Sequence, residues 1–114
     1  MTEPQPLDSR AFDPTRTFQM WRYNVSHAQL LLRSTKDDRV ATRIDVLFKG
    51  VRMVKLPTTM TALEVMGSHP AGGEDRRYTV RFAGGEGYVV AAVAAVVEDD
   101  GEYHEPSAFV FSNL

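Results

Sequence analysis

Three histidines, His27, His69 and His104, are the side chains whose ordinary titration falls near neutral pH. None stands at a ligand spacing from another, so a metal centre would have to be collected by the fold. Glu102 and His104 share one face if the chain there is extended, with Asp100 just before them. The plainer reading of that stretch is the solvated side of a hairpin. Glu98-Asp99-Asp100-Gly101 lacks the acid spacing of a calcium loop. No metal and no cofactor is assigned.

Nucleophilic chemistry fares no better. Ser26-His27 and Ser68-His69 are adjacent pairs, and neighbours on extended chain point to opposite faces, where they cannot share a proton. Neither serine stands in a Gly-x-Ser-x-Gly elbow, and both read as turn residues. Gly84-Gly85-Glu86-Gly87 has neither the Gly-x-Gly-x-x-Gly spacing nor the Lys-Ser/Thr of a phosphate loop, and reads as hairpin glycines. Arg76 to Phe82 interleaves arginines with aromatics, as a stacking platform for single-stranded nucleic acid does. On a strand, however, Arg77 and Arg81 face away from Tyr78 and Phe82, which places the aromatics in the core and the arginines in water. No catalytic residue is assigned.

Trp21 and Tyr23 are the remaining pair. Aromatics two apart on a strand share a face, which is either core or the wall of a concave site. Core is the favoured reading; the alternative is a ligand site between Trp21, Tyr23 and a polar residue of a neighbouring hairpin, notably His104.

The elements that must position these residues read as strands. Residues 1–16 hold Pro4, Pro6 and Pro14 and form an extended or mobile N-terminal arm, from which Leu7 and Phe12 can dock; residues 17–114 form a single β domain. Phe18 to Val25 alternates as a first strand, with Trp21, Tyr23 and Val25 on one face. Ser26-His27-Ala28 turns into a second strand, Gln29 to Ser34, whose Leu30-Leu31-Leu32 run predicts burial on both faces. Arg43 to Lys49 alternates cleanly, with Ile44, Val46 and Phe48 inward and Arg43, Asp45 and Lys49 toward solvent.

Val51 to Leu56 is β-rich and ends at Pro57. Thr61 to Met66 follows as a short strand or helical turn, Ser68 to Asp75 as a long loop, and Arg77 to Phe82 with the glycine turn as a hairpin. Tyr88 to Val97 is read as a strand, its alanines leaving helix, and hence an α+β class, as the alternative. It pairs across an Asp99-Asp100-Gly101 turn with Ser107 to Phe111. The expected fold is therefore all-β: an antiparallel sandwich or partly closed barrel of seven or eight strands, with at most one short helix.

A chain of 114 residues buries one modest core. Its 13 basic and 15 acidic side chains interleave to a net charge of −2, which argues against nucleic acid and against an anionic membrane surface. No cysteine is present, so disulfides and thiolate chemistry are excluded. The first residues lack a basic region followed by an apolar run, and the longest apolar stretch is too short to span a bilayer, so the cytoplasm is the expected location. Ten of the 13 basic residues are arginine, in a chain rich in alanine and valine, a composition typical of a GC-rich bacterial source.

The stretch Ile44-Asp45-Val46-Leu47-Phe48-Lys49-Gly50-Val51, followed by Lys55-Leu56-Pro57, resembles small uncharacterised bacterial proteins, and that resemblance implies no activity. With no catalytic constellation in the residues, the leading expectation is a noncatalytic binding or protein-interaction module. Its simplest form is a two-fold homodimer that closes exposed strand edges. The alternative is a small-molecule-binding protein or enzyme with a pocket containing His27 or His104 beside an acid. A nucleic-acid surface built on Arg76, Arg77 and Arg81 is the least favoured.

Overall fold

The computed structural model of the chain describes residues 3–68 and 75–109. The predicted strand at Ser107 to Phe111 therefore falls partly outside the described residues, as do His69 and most of the predicted loop. Among the described residues there are eleven strands and no helix, so none that could cross a membrane. They are β1 (Gln5–Pro6), β2 (Ser9–Ala11), β3 (Thr17–Asn24), β4 (Gln29–Ser34), β5 (Arg43–Lys49) and β6 (Met53–Lys55), followed by β7 (Thr59–Thr61), β8 (Glu64–Ser68), β9 (Arg76–Phe82), β10 (Gly85–Ala91) and β11 (Val93–Asp99).

The strands form two antiparallel sheets, ordered β1-β11-β5-β4-β3-β7 and β2-β8-β9-β10-β6, which are not closed into a barrel. The all-β reading holds, with more and shorter strands than expected, because the chain repeatedly changes sheet. Residues read as one strand become two at such corners. Tyr88 to Val97 divides at Ala92 into β10 of the five-stranded sheet and β11 of the six-stranded one. Strands that bend from one sheet to the other in this way make the corners of a sandwich without breaking the backbone ladder. At this corner the Ala92 amide donates to the Lys49 carbonyl at 3.0 Å, and Gly50, at φ 68°, packs so near that a Cβ would sit 2.9 Å from that of Ala92. A left-handed backbone conformation and that proximity together call for glycine.

The segment expected as an arm supplies edge strands to both sheets: β1 pairs with β11, and β2 pairs with β8. Leu7 and Phe12 are buried with it. Between the sheets lies the main core, where Phe18, Phe48, Tyr78, Val80 and Val89 are wholly buried, and Phe48 meets Tyr78 edge-on at 5.4 Å. The inward alternation of Ile44, Val46 and Phe48 is as predicted, and so is that of Tyr78 and Val80, with Arg77 and Arg81 exposed.

Two expectations fail. Arg43 and Asp45 were expected in water, yet they are 3% and 1% exposed. Trp21 and Tyr23 were favoured as core, yet they are 36% and 45% exposed. The first failure arises because β11 does not turn into a hairpin at Asp99-Asp100-Gly101. Residues 101–109 run instead as an irregular strap over the outer face of the six-stranded sheet. Phe109 joins Leu31, Leu47 and Val97 there in a second, smaller apolar cluster. The second has two causes: Trp21 lies on the outer side of β3, opposite Phe18 and Met20, and Tyr23, though on the core side, is left uncovered at the open end of the sandwich.

Gly87 marks the tightest approach in the five-stranded sheet, since a Cβ there would lie 1.9 Å from the Lys55 carbonyl oxygen. Gly87→Ala must push β6 from β10, and is expected to cost on the order of 3 kcal/mol in urea denaturation. Gly84→Ala, at φ 91° with open space around it, should cost only about 1 kcal/mol of backbone strain.

Candidate functional site

β3 decides where the candidate residues go. Its register against β4 runs Met20↔Leu32 and then Arg22↔Leu31, so Trp21 is the extra residue of a β-bulge. A bulge shifts the alternation by one, and side chains beyond it change face. Met20 and Tyr23 therefore lie on the core side with Leu32 and Leu30, while Trp21 and Arg22 go to the outer side with Leu31 and Arg33. The two aromatics that a regular strand would place together are separated.

Two grooves result. On the outer side, Trp21, Leu31 and Pro106 wall a depression of about 270 Å³, with Arg22, Arg33, His104, Glu105 and Ser107 around it. Trp21 and His104 thus meet in one groove, and Tyr23 does not join them. Tyr23 lines a second groove of about 270 Å³ with Met20, Leu30 and Val54, whose walls are apolar. This groove opens between the two sheets. Tyr23 is registered with buried Leu30 and Val54 with buried Val89, yet both stay substantially exposed, because no described strand covers this end of the core. The outer edge of β6 likewise carries no ladder among the described residues.

The outer groove is bounded by a layer that sequence reading missed altogether. Arg33 stands opposite Asp45, and Arg43 opposite Asp99, as direct cross-strand neighbours. Each arginine holds both oxygens of its aspartate, through Nε and one arm. Arg33 Nε and Nη2 donate to Asp45 Oδ1 and Oδ2 at 2.7 and 3.0 Å, and Arg43 Nε and Nη2 donate to Asp99 Oδ1 and Oδ2 at 2.9 and 3.0 Å. The remaining donors hold the strap by its carbonyls. Arg33 Nη1 donates to Tyr103 and Glu105 at 2.9 and 3.2 Å. Arg43 Nη1 donates to Glu102 and Glu105 at 2.9 and 2.8 Å, and its Nη2 to Pro106 at 3.1 Å. The Arg33 guanidinium also lies 5.1 Å from the centre of the Trp21 ring. A third buried arginine, Arg16, donates to Ser34 Oγ and to both the carbonyl and hydroxyl of Thr42, and lies 3.6 Å from Glu98.

Burial alone would raise the Asp99 pKa, but the Arg43 guanidinium and the Gly101 N–H reverse this and hold the carboxyl below its ordinary 3.8. Burial likewise opposes the charge on Arg43, and the hydrogen bond to Asp99 with the nearby carboxylates outweighs it, so its pKa is raised. At the hinge of the strap Lys36 Nζ donates to the Asp100 carbonyl at 2.8 Å and pairs with Glu102 at 2.5 Å.

The other chemistry-bearing residues are engaged locally. Ser26 Oγ donates to Asn24 Oδ1 at 2.9 Å rather than to His27, and Ser68 Oγ to the Arg77 carbonyl at 3.1 Å. His104 sits on the strap with its ring 5.0 Å from that of Tyr103. Among the described residues no group of three or more histidines and carboxylates is arranged to hold a metal ion. Arg76 pairs with Asp8, Arg81 with Glu86, and Arg77 lies over the Tyr88 ring at 4.1 Å. No family model, curated protein or solved structure matches the chain.

Asp99 makes the clamp acid-sensitive. Its folded pKa is depressed, so the stability it contributes is fully present above its unfolded value and is lost as pH falls through the folded one, in the region below about pH 4. Denaturation free energies measured from pH 6 down to pH 2 should fall less steeply in Asp99→Asn than in the parent, by up to one proton. Equal slopes would mean that Asp99 titrates alike folded and unfolded.

Proposed function

We propose that the protein is a noncatalytic binding module whose contact surface is the open end of the sandwich between β3 and β6, and that its partner is a second copy of the chain. The observation that carries this reading is the Met20, Tyr23, Leu30 and Val54 groove. Its walls are apolar, and two of its residues face inward on their strands without being covered. Val25, just after β3, and Met53, on β6, are exposed apolar side chains as well, at 82% and 56%. An uncovered end of a core, bounded by the open edge of β6, is stabilised by whatever removes it from water. A two-fold copy brings the same groove and the same edge to both sides of the contact, so one surface satisfies itself.

The buried ionic groups favour binding over catalysis. Arg33, Arg43, Asp45 and Asp99 are all held in reciprocal pairs, which leaves no free acid or base among them.

Sedimentation or light scattering over a concentration series should give a dimer mass for the parent chain. Val54→Lys, which places a charge in the groove, should give a monomer whose denaturation midpoint no longer rises with protein concentration. A parent chain that stays monomeric at the highest attainable concentration overturns the reading.

A second reading, that of a small-molecule site, is favoured by one observation: Trp21 and His104 share the outer groove with apolar Leu31 and Pro106. A flat aromatic ligand could stack on the exposed Trp21 ring beside the imidazole. Trp21 is the chain's single tryptophan, so its fluorescence reports on this groove alone. Screening a fragment set should find saturable quenching that His104→Ala weakens about tenfold, a loss of roughly 1.4 kcal/mol. A set that produces no quenching removes the reading.

A further inference from the structure

The strap is attached differently from every strand. Among the described residues no ladder joins 101–109 to either sheet. Its attachments are the carbonyls of Glu102, Tyr103, Glu105 and Pro106, which accept from Arg33 and Arg43, the Glu102 carboxylate paired with Lys36, and the ring of Phe109 packed with Leu31, Leu47 and Val97. The donors belong to the sheet. Asp45 and Asp99 grip Nε and Nη2 of the two guanidinium groups from neighbouring strands, so the remaining N–H groups are held in place independently of the strap. Fixed donors of this kind bind at a low ordering cost.

What these donors read is main chain. Every residue presents a carbonyl, while the strap's own Tyr103 and His104 side chains contact one another, and Tyr103 is 61% exposed. Phe109 is the one buried hydrophobic side chain of the strap. The strap presents these carbonyls from an irregular main chain, turned at 102–105 where the Glu105 amide donates to the Glu102 carbonyl, and it adds one aromatic anchor. Opening the strap would leave all eleven strands paired, return the guanidinium N–H groups to water, and uncover only the small outer cluster, as expected of a local rather than a global opening.

We infer that the outer face of the six-stranded sheet is a binding site for a peptide segment with a turn at its start, which residues 101–109 occupy in cis and which the same segment of a second copy takes by exchange. The occupant is specified by the structure itself, since this segment is seen to fit. Exchange turns on Gly101, which is packed so closely on Arg43 that a Cβ would meet Nη2 at 2.4 Å, and whose amide donates to Asp99 Oδ1. A copy that replaces the strap from outside meets the same clamp and the same Phe109 site. This face lies on the opposite side of β3 from the Met20–Val54 groove, and the inference stands apart from the dimer proposed there.

The test uses the full-length chain, as parent and as Phe109→Ala, with a fluorescently labelled synthetic peptide of residues 101–109 followed by anisotropy. In the parent the cis strap holds the site, so the apparent affinity of the peptide is reduced by the fraction of chains that are open. Phe109→Ala weakens the cis strap and should bind the peptide at least about tenfold more tightly than the parent, and a peptide carrying Phe109→Ala itself should not bind. Hydrogen exchange on the parent chain provides the independent measurement. Strap amides at 102–109 should exchange faster than those of β4 and β5. Strap amides that exchange only with global unfolding, or a folded Phe109→Ala chain that leaves the peptide unbound, overturn the inference.

Discussion

Two arginines buried on the face of one sheet, each held by both oxygens of an aspartate on the neighbouring strand, set the form of this protein's outer layer. Arg33 with Asp45 and Arg43 with Asp99 span β4, β5 and β11. Charges taken out of water are costly, and a buried pair breaks even only when its geometry is good and its remaining protons are satisfied. Here the strap supplies that satisfaction, by turning five carbonyl contacts onto the free arms of the guanidinium groups. The dependence is mutual. The strap has no ladder of its own to hold it, and among the described residues the outward N–H groups of Arg33 and Arg43 have no hydrogen-bond acceptors but its carbonyls and their aspartates.

The same clamp links the outer layer to the groove around Trp21. Arg33 touches Asp45, the strap carbonyls and the Trp21 ring, so the position of the indole depends on a guanidinium fixed from the other side. The groove containing His104 exists because the strap passes beside a bulged strand. Its walls come from two segments some eighty residues apart in the chain, joined through one arginine.

At the other side of β3 the controlling feature is geometric rather than ionic. One extra residue at Trp21 reverses the alternation of the strand, and Tyr23 is thereby delivered to the core side at a point where the second sheet has only the short edge strand β6 to offer. The sandwich stays open there, and the apolar surface left at Tyr23 and Val54 follows from the bulge and from the brevity of β6.

Sequence by itself determined the class of fold and most of the main core. Ile44, Val46 and Phe48, like Tyr78 and Val80, obey a period of two that only a half-buried strand requires, and Leu30-Leu31-Leu32 announces a strand covered on both sides. These are local signals, carried by neighbouring residues, and they survive without knowledge of the rest of the chain. Tertiary structure alone decided the burial of Arg43 and Asp45, the outward turn of Trp21, the division of Tyr88 to Val97 between two sheets, and the meeting of Trp21 with His104. An arginine alternating on a strand looks the same whether it faces water or a strap, because its cover arrives from some sixty residues away. A bulge leaves no composition of its own, since it is chosen by how two strands settle their register over the core. Local period fixes what each residue can be, and long-range packing fixes which side of the sheet is solvent.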